Sequence, residues 1–223
     1  MSGFRFRRSI SARSISALSA TLAGVLLAAG LLVGVGAGTA NAALPTPIAA
    51  STARTYLSSL TVAAETHAST YDRDLFPTWI TISGTCDTRE YVIKRDGSNV
   101  VTNAACTATS GSWTSPYDNV VTTNPSTFDI DHLVPLSEAW DSGAWAWTTA
   151  QRQAFANDTT RPQLLAVSAS SNRSKGDDDP AEWLPQASYQ CVYVRAWVQV
   201  KHYYGLSVDS TEKAVLSSIL NGC

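Results

Sequence analysis

The sequence predicts an α+β fold in which a small strand–strand–helix unit is set into a mostly helical C-terminal half. Three observations carry this: the apolar–polar alternation of Phe128-Asp129-Ile130-Asp131, the apolar run Leu164-Leu165-Ala166-Val167 followed by a serine-rich helix start, and apolar residues at helical spacing from Ala187 to Tyr204. Alternation is the period of a half-buried strand and a short bounded apolar run that of a buried one. Recurrence at three and four residues marks one face of a helix.

At the N-terminus, Arg5, Arg7, Arg8 and Arg13 precede an apolar run from about Leu18 to Ala37, and Ala40-Asn41-Ala42 closes it. Basic, apolar and small-residue regions in that order are the layout of a secretory signal peptide, expected at 1–42. The competing reading is an uncleaved anchor, because the run approaches the roughly 20 residues that span a bilayer. With cleavage near Ala42 the protein is secreted and has no stable membrane association. Losing the four leader arginines takes Lys+Arg from 16 to 12 against 18 Asp+Glu, a net charge near −6. So acidic a chain does not coat nucleic acid by surface charge alone. Nucleic-acid contact has to be local and metal-assisted.

Residues 43–50 read as a short linker and 51–223 as a single domain. An amphipathic helix is expected from Ser51 to about His67, on Tyr56, Leu57, Leu60 and Ala64, and Arg89 to Arg95 reads as a strand closed by an Asp96-Gly97 turn. Short β pieces are expected around Trp113 and Val120-Val121. Helices follow at Leu136–Trp140, at Ala150–Ala156 capped by Thr148 or Thr149, and around Asn172 and Lys175 capped by Ser168 or Ser170. The 187–204 helix ends at Gly205, and Asp209 caps a last helix to Leu220. Cys86, Cys106, Cys191 and Cys223 all lie in the exported part, so disulfides are expected. Of three pairings, Cys86–Cys106 with Cys191–Cys223 is preferred because each brackets a compact local unit. A four-cysteine zinc site lacks any C-x-x-C spacing.

The chemistry concentrates in Asp129-Ile130-Asp131-His132 and in Asn172-Arg173-Ser174-Lys175-Gly176-Asp177. A histidine with an ordinary pKa near 6.5 accepts a proton near neutral pH, which suits His132 to activate water. Asp131 would point to the opposite side of an extended strand unless the strand ends there. Asn172 and Lys175, three apart, share a helix face. The first offers a neutral oxygen to a hard cation and the second a point charge to a phosphate. Asp129 reads as a brace or water-shell partner of the metal. Glu138 and Asp177 are further carboxylates in reserve, and Arg73 and Arg89 are candidates for holding phosphate. His67 and His202 read as packing or surface histidines. Trp140, Trp145, Trp147, Trp183 and Trp197 are candidates for base stacking.

These blocks, Asp-Ile-Asp-His-Leu-Val-Pro-Leu at 129–136, Leu-Leu-Ala-Val-Ser at 164–168 and Asn-Arg-Ser-Lys-Gly-Asp at 172–177, resemble the HNH nucleases of the ββα-metal class. The resemblance is to a secreted, actinobacterial-type, DUF1524-like family in particular, and the HNH domain of RNA-guided CRISPR effectors looks similar over the same blocks. Flanking segments such as Tyr71-Asp72-Arg73, Cys86-Asp87-Thr88-Arg89, Ser115-Pro116-Tyr117 and Pro180-Ala181-Glu182-Trp183 extend it over most of the exported chain. The resemblance implies a ββα-metal core and a nucleic acid substrate, DNA or RNA. It also implies one divalent ion, Mg2+ or Mn2+, held by Asp131 and Asn172, with water activated by His132. Two departures stand out. Asn replaces His at the end of the triplet, which favours a magnesium-like ion over zinc. Gln163 stands where an orienting Asn is often found. A two-carboxylate glycosidase using Asp131 and Glu138 and a non-catalytic exported binding module are the alternative functions. The absence of a Gly-x-Ser-x-Gly elbow argues against a serine hydrolase.

Overall fold

The computed structural model describes residues 44–223, and the expected signal segment at 1–42 lies outside the described residues. The chain opens on Leu44 and Ile48, which pack on the main core. Helix α1 (Ala50–Ser59) follows, ending earlier than its apolar pattern suggested. Leu60 leaves in an extended conformation, and Val62 makes a parallel bridge to Val208 instead of another helical turn.

Next come β1 (Thr81–Ser83), β2 (Cys86–Asp87) and α2 (Thr88–Asp96). The last overturns the expected strand at Arg89–Arg95. The Tyr-Val-Ile run favours a strand, but Asp87 accepts the Glu90 amide and the Glu90 carboxylate returns to the Asp87 amide. That reciprocal cap starts a helix. Its far end is locked by Asp96, which accepts the Ala166 amide, and by Arg95, which donates to the Leu164 carbonyl.

Strands β3 (Ser98–Thr102), β4 (Ala108–Thr114) and β5 (Val121–Thr122) form an antiparallel sheet. Gly97 is required at its entry, since a Cβ there would run into the Trp113 indole, which donates to the Ile93 carbonyl. Strand β6 (Phe128–His132) then pairs antiparallel with β7 (Leu164–Ser168), and α5 (Ala169–Lys175) follows β7 directly. Between the two strands lie α3 (Leu136–Asp141) and α4 (Thr149–Ala156). The chain ends in α6 (Ala187–Tyr204) and α7 (Ser210–Asn221). As expected, Gly205 closes α6 in the left-handed region and Asp209 caps α7.

The β6–β7 ladder separates two cores. Phe128, Ile130, Leu164 and Ala166 on one face pack with Val92, Ile93 and Trp113. Leu165 and Val167 on the other face join the main helical core with Tyr193, Val194 and Trp197. Both disulfides form in the preferred pairing, with Cα separations of 5.1 Å for Cys86–Cys106 and 5.7 Å for Cys191–Cys223. The second ties the α6–α7 hairpin. Closing such loops stabilises on the order of 3 kcal/mol through the unfolded chain. Among the described residues, no helix is long and apolar enough to cross a membrane.

Candidate active site

Because side chains alternate along a strand, Asp129 and Asp131 share the face of β6 that carries Leu165 and Val167, while His132 lies on the other with Leu164. The strand ends at His132, and there both faces open onto one cleft of about 250 Å³. Asp131, His132 and Asn172 line it together with Arg73, Arg173 and Asp177. The residues read from two blocks of sequence therefore meet in one place.

His132 is held on two sides. Its ring stacks on Trp79, with centroids 5.2 Å apart and planes 13° from parallel. Its Nε2 lies 2.9 Å from the Ala156 carbonyl oxygen. A carbonyl only accepts, so Nε2 carries the hydrogen and Nδ1 keeps its lone pair. Burial, reinforced by the charges of Arg73 and Lys175, pushes the pKa down to about 3, against the smaller opposing effect of the Ala156 bond. At neutral pH the imidazole is uncharged and free to accept a proton, but as a weaker base than the ordinary value near 6.5 on which the expectation for His132 rested.

Asp131 is almost wholly buried and held through both oxygens. Oδ1 accepts from Lys175 Nζ at 2.9 Å and Oδ2 from the Tyr117 hydroxyl at 2.6 Å. Burial raises its pKa, opposed by the Lys175 charge and the Tyr117 hydrogen bond. Tyr117 is itself buried and its pKa pushed well up, first by desolvation and then by the Asp131 charge, so it donates. Asn172 turns its amide nitrogen to Asp129 Oδ2 at 3.3 Å, and its Oδ1 accepts no hydrogen bond among the described residues. The Asp131 carboxylate and the Asn172 amide oxygen, with Asp129 holding the Asn172 amide, offer oxygen donors only. Such a set fits a hard cation that keeps several of its waters.

Several expectations change. Lys175 is not free for a phosphate: it is fully buried, bound to Asp131 and, at 3.0 Å, to the His132 carbonyl. Its charge is used to hold the carboxylate. Arg89 is outside the cleft. It donates to the Phe128 carbonyl at the far end of β6 and lines a separate groove, roughly 10–13 Å along the strand from the site residues. Arg73, in contrast, lines the cleft and has no carboxylate partner among the described residues. Gln163 uses its amide on the backbone instead of on His132. Both ends of its amide pair with the Val134 backbone, at 3.1 and 2.8 Å, fixing the chain as it leaves the strand. Glu138, the second carboxylate of the glycosidase alternative, is not among the lining residues and binds Lys201 deep in the helices. Of the tryptophans named for stacking, Trp140 and Trp197 are core and Trp145 is exposed against His67.

Two site residues escaped the sequence reading. Trp79 carried no signal because nothing in sequence shows a ring over His132. Tyr117 stood in a segment noted only for its resemblance, and its contact with Asp131 spans 14 positions.

No solved structure matches this chain. A curated relative from Arthroderma benhamiae, described as an uncharacterized secreted protein, is 55% identical over 186 residues, covering 82% of this chain and 91% of the relative. The family model of the C-terminal domain of GmrSD restriction endonucleases matches residues 88–219, a span that runs from α2 into α7 and includes Tyr117, Asp131, His132, Asn172 and Lys175 but not Trp79 or Arg73. The chain belongs to the GmrSD C-terminal domain family.

Proposed function

We propose that the protein is an exported, metal-dependent endonuclease of HNH type that hydrolyses phosphodiester bonds in DNA or RNA with little sequence preference. The observation that carries this is the meeting of Asp131, His132, Asn172 and Arg73 in one cleft, on the strand–strand–helix unit of a chain in a restriction-endonuclease domain family. Export is supported by the leader pattern and by the secreted relative.

In this reading Asp131 and Asn172 would hold a Mg2+-like ion, which would supply positive charge to the phosphate oxygens in place of a basic protein surface. His132 Nδ1 takes the proton from the attacking water, the water oxygen bonds to phosphorus, and the bond to the leaving oxygen breaks as that oxygen is protonated from solvent. Trp79 holds the plane of the ring, and the Ala156 carbonyl keeps the hydrogen on Nε2 so that Nδ1 accepts. Arg73 holds a phosphate oxygen, and Lys175 and Tyr117 fix the Asp131 carboxylate. Asp129 orients the Asn172 amide.

Plasmid, linear duplex, single-stranded DNA and RNA, incubated with Mg2+ and with EDTA, test the activity. Cleavage that needs the metal and falls about 10²–10⁴-fold in His132→Ala, with melting and metal uptake little changed, is expected. Near-normal turnover in that variant under excess Mg2+ would remove His132 from its role.

A further inference from the structure

The turn from Ser115 to Val120, which joins β4 to β5, reaches both elements that carry the metal-holding residues. Its Tyr117 hydroxyl donates to Asp131 Oδ2 at 2.6 Å. The next residue, Asp118, accepts on a single oxygen from Ser168 Oγ at 2.5 Å and Ser171 Oγ at 2.6 Å. Ser168 is the cap of α5, accepting the Ser171 amide at 3.2 Å, and Asn172 is the next residue along. One dipeptide thus grips the carboxylate on the strand and the first turn of the helix opposite.

The grip is only useful if the turn is itself fixed, and it is. The Ser115 amide donates to the Val120 carbonyl at 2.8 Å and the Asn119 amide to the Ser115 carbonyl at 2.9 Å. Gln186, at the start of α6, donates its side-chain amide to the Pro116 carbonyl and its backbone amide to the Tyr117 carbonyl, and accepts from Asn119. The Tyr117 ring is wedged among Trp183, Tyr189 and Tyr193.

We infer that Tyr117 and Asp118 are positioning residues that together set the separation of the Asp131 and Asn172 oxygens, and with it the affinity of the site for its cation. Tyr117 acts through Asp131, and Asp118 acts through α5 and Asn172. This rests on the metal-dependent reading above. Partners that orient a ligand from behind are worth about 10–100-fold in metal affinity or activity.

The test is Mn2+ binding to the full exported chain, followed by electron paramagnetic resonance and calorimetry, with melting of the metal-free protein as the fold control. Tyr117→Phe and Asp118→Ala should each weaken Mn2+ about tenfold, while Asp118→Asn, which keeps an oxygen acceptor, and Ser171→Ala, which removes one of two donors, weaken it less. In an Asn172→Ala background, Asp118→Ala should add nothing further and Tyr117→Phe should keep its full effect, because only the first works through Asn172. Binding curves for Tyr117→Phe and Asp118→Ala that superimpose on the wild type would overturn the inference. So would an Asp118→Ala effect of the same size with and without Asn172. If the wild type takes up no Mn2+, or if Asp131→Asn and Asn172→Ala leave uptake unchanged, the metal-dependent reading falls and this inference with it. Wild-type uptake that needs both ligands but ignores the turn defeats this inference alone.

Discussion

Two wholly buried lysines, Lys175 and Lys201, use the same chemistry to different ends. Lys201, on α6, is closed in by the helical core: it donates to Glu138, to Glu212 at 2.8 Å and to the Ser207 carbonyl at 2.9 Å. Trp197 donates to the remaining side of Glu212. Lys175 meets one carboxylate and one carbonyl, and its carboxylate, Asp131, lines an open cleft. One ion cluster is finished inside the protein. The other is held in place at the wall of a cleft.

The comparison breaks first at Lys201. Lys201→Met leaves Glu138 and Glu212 buried without their cation, although burial already holds both carboxyls above the usual carboxylate range. Uncompensated buried charge costs about 3–5 kcal/mol. Urea unfolding should show a loss of that size, and a loss below about 1 kcal/mol would mean that the cluster does not hold the helices.

Lys175→Met should cost less, about 1–3 kcal/mol, because Tyr117 still donates to Asp131 and the cleft admits water. Its sharper mark is metal dependence. A cation at Asp131 replaces some of the missing charge and stabilises the folded form by mass action, so millimolar Mg2+ should narrow the melting difference between Lys175→Met and the wild type. The same addition should leave the melting difference between Lys201→Met and the wild type unchanged, since both keep the cleft intact. Equal responses of the two variants would erase the distinction between an open and a closed cluster.

A third effect is read through pH on the metal-free protein. His132 has a folded pKa of about 3 against an ordinary 6.5. A depressed value means that its contribution to stability is complete above about 6.5 and is lost as pH falls toward 3, at up to about 1.4 kcal/mol per pH unit. His132→Gln removes that dependence. The gap in unfolding free energy between wild type and variant should therefore shift in the variant's favour from pH 6.5 to 4.5. A constant gap would show that His132 is not held neutral.

Local rules in the sequence specified much of the site-bearing unit. Alternation placed β6, the apolar run placed β7, and capping serines placed α5 with Asn172 and Lys175 on it. Even cysteines, each pair bracketing one local unit, specified both disulfides. The signal for α2 is present too, in the Asp87–Glu90 capping box, and it prevails over the strand preference of Val92 and Ile93. The stop of α1 at Ser59 had no local sign, because the strand-like bridge of Val62 to Val208 that replaces the helix is a contact between distant residues.

What the sequence by itself determined was which local elements form and which polar residues they carry toward the cleft, since period, caps and turn residues act within a few positions. The tertiary structure alone decided how those residues are used. It buried Lys175 behind Asp131, took Arg89 away from the cleft while bringing Arg73 to it, set Gln163 on the Val134 backbone, and placed Trp79 and Ala156 around His132. Each of these depends on a separation of 20 or more positions, or on which face of a strand meets the core. Such choices are settled only when burial makes every polar group find a partner.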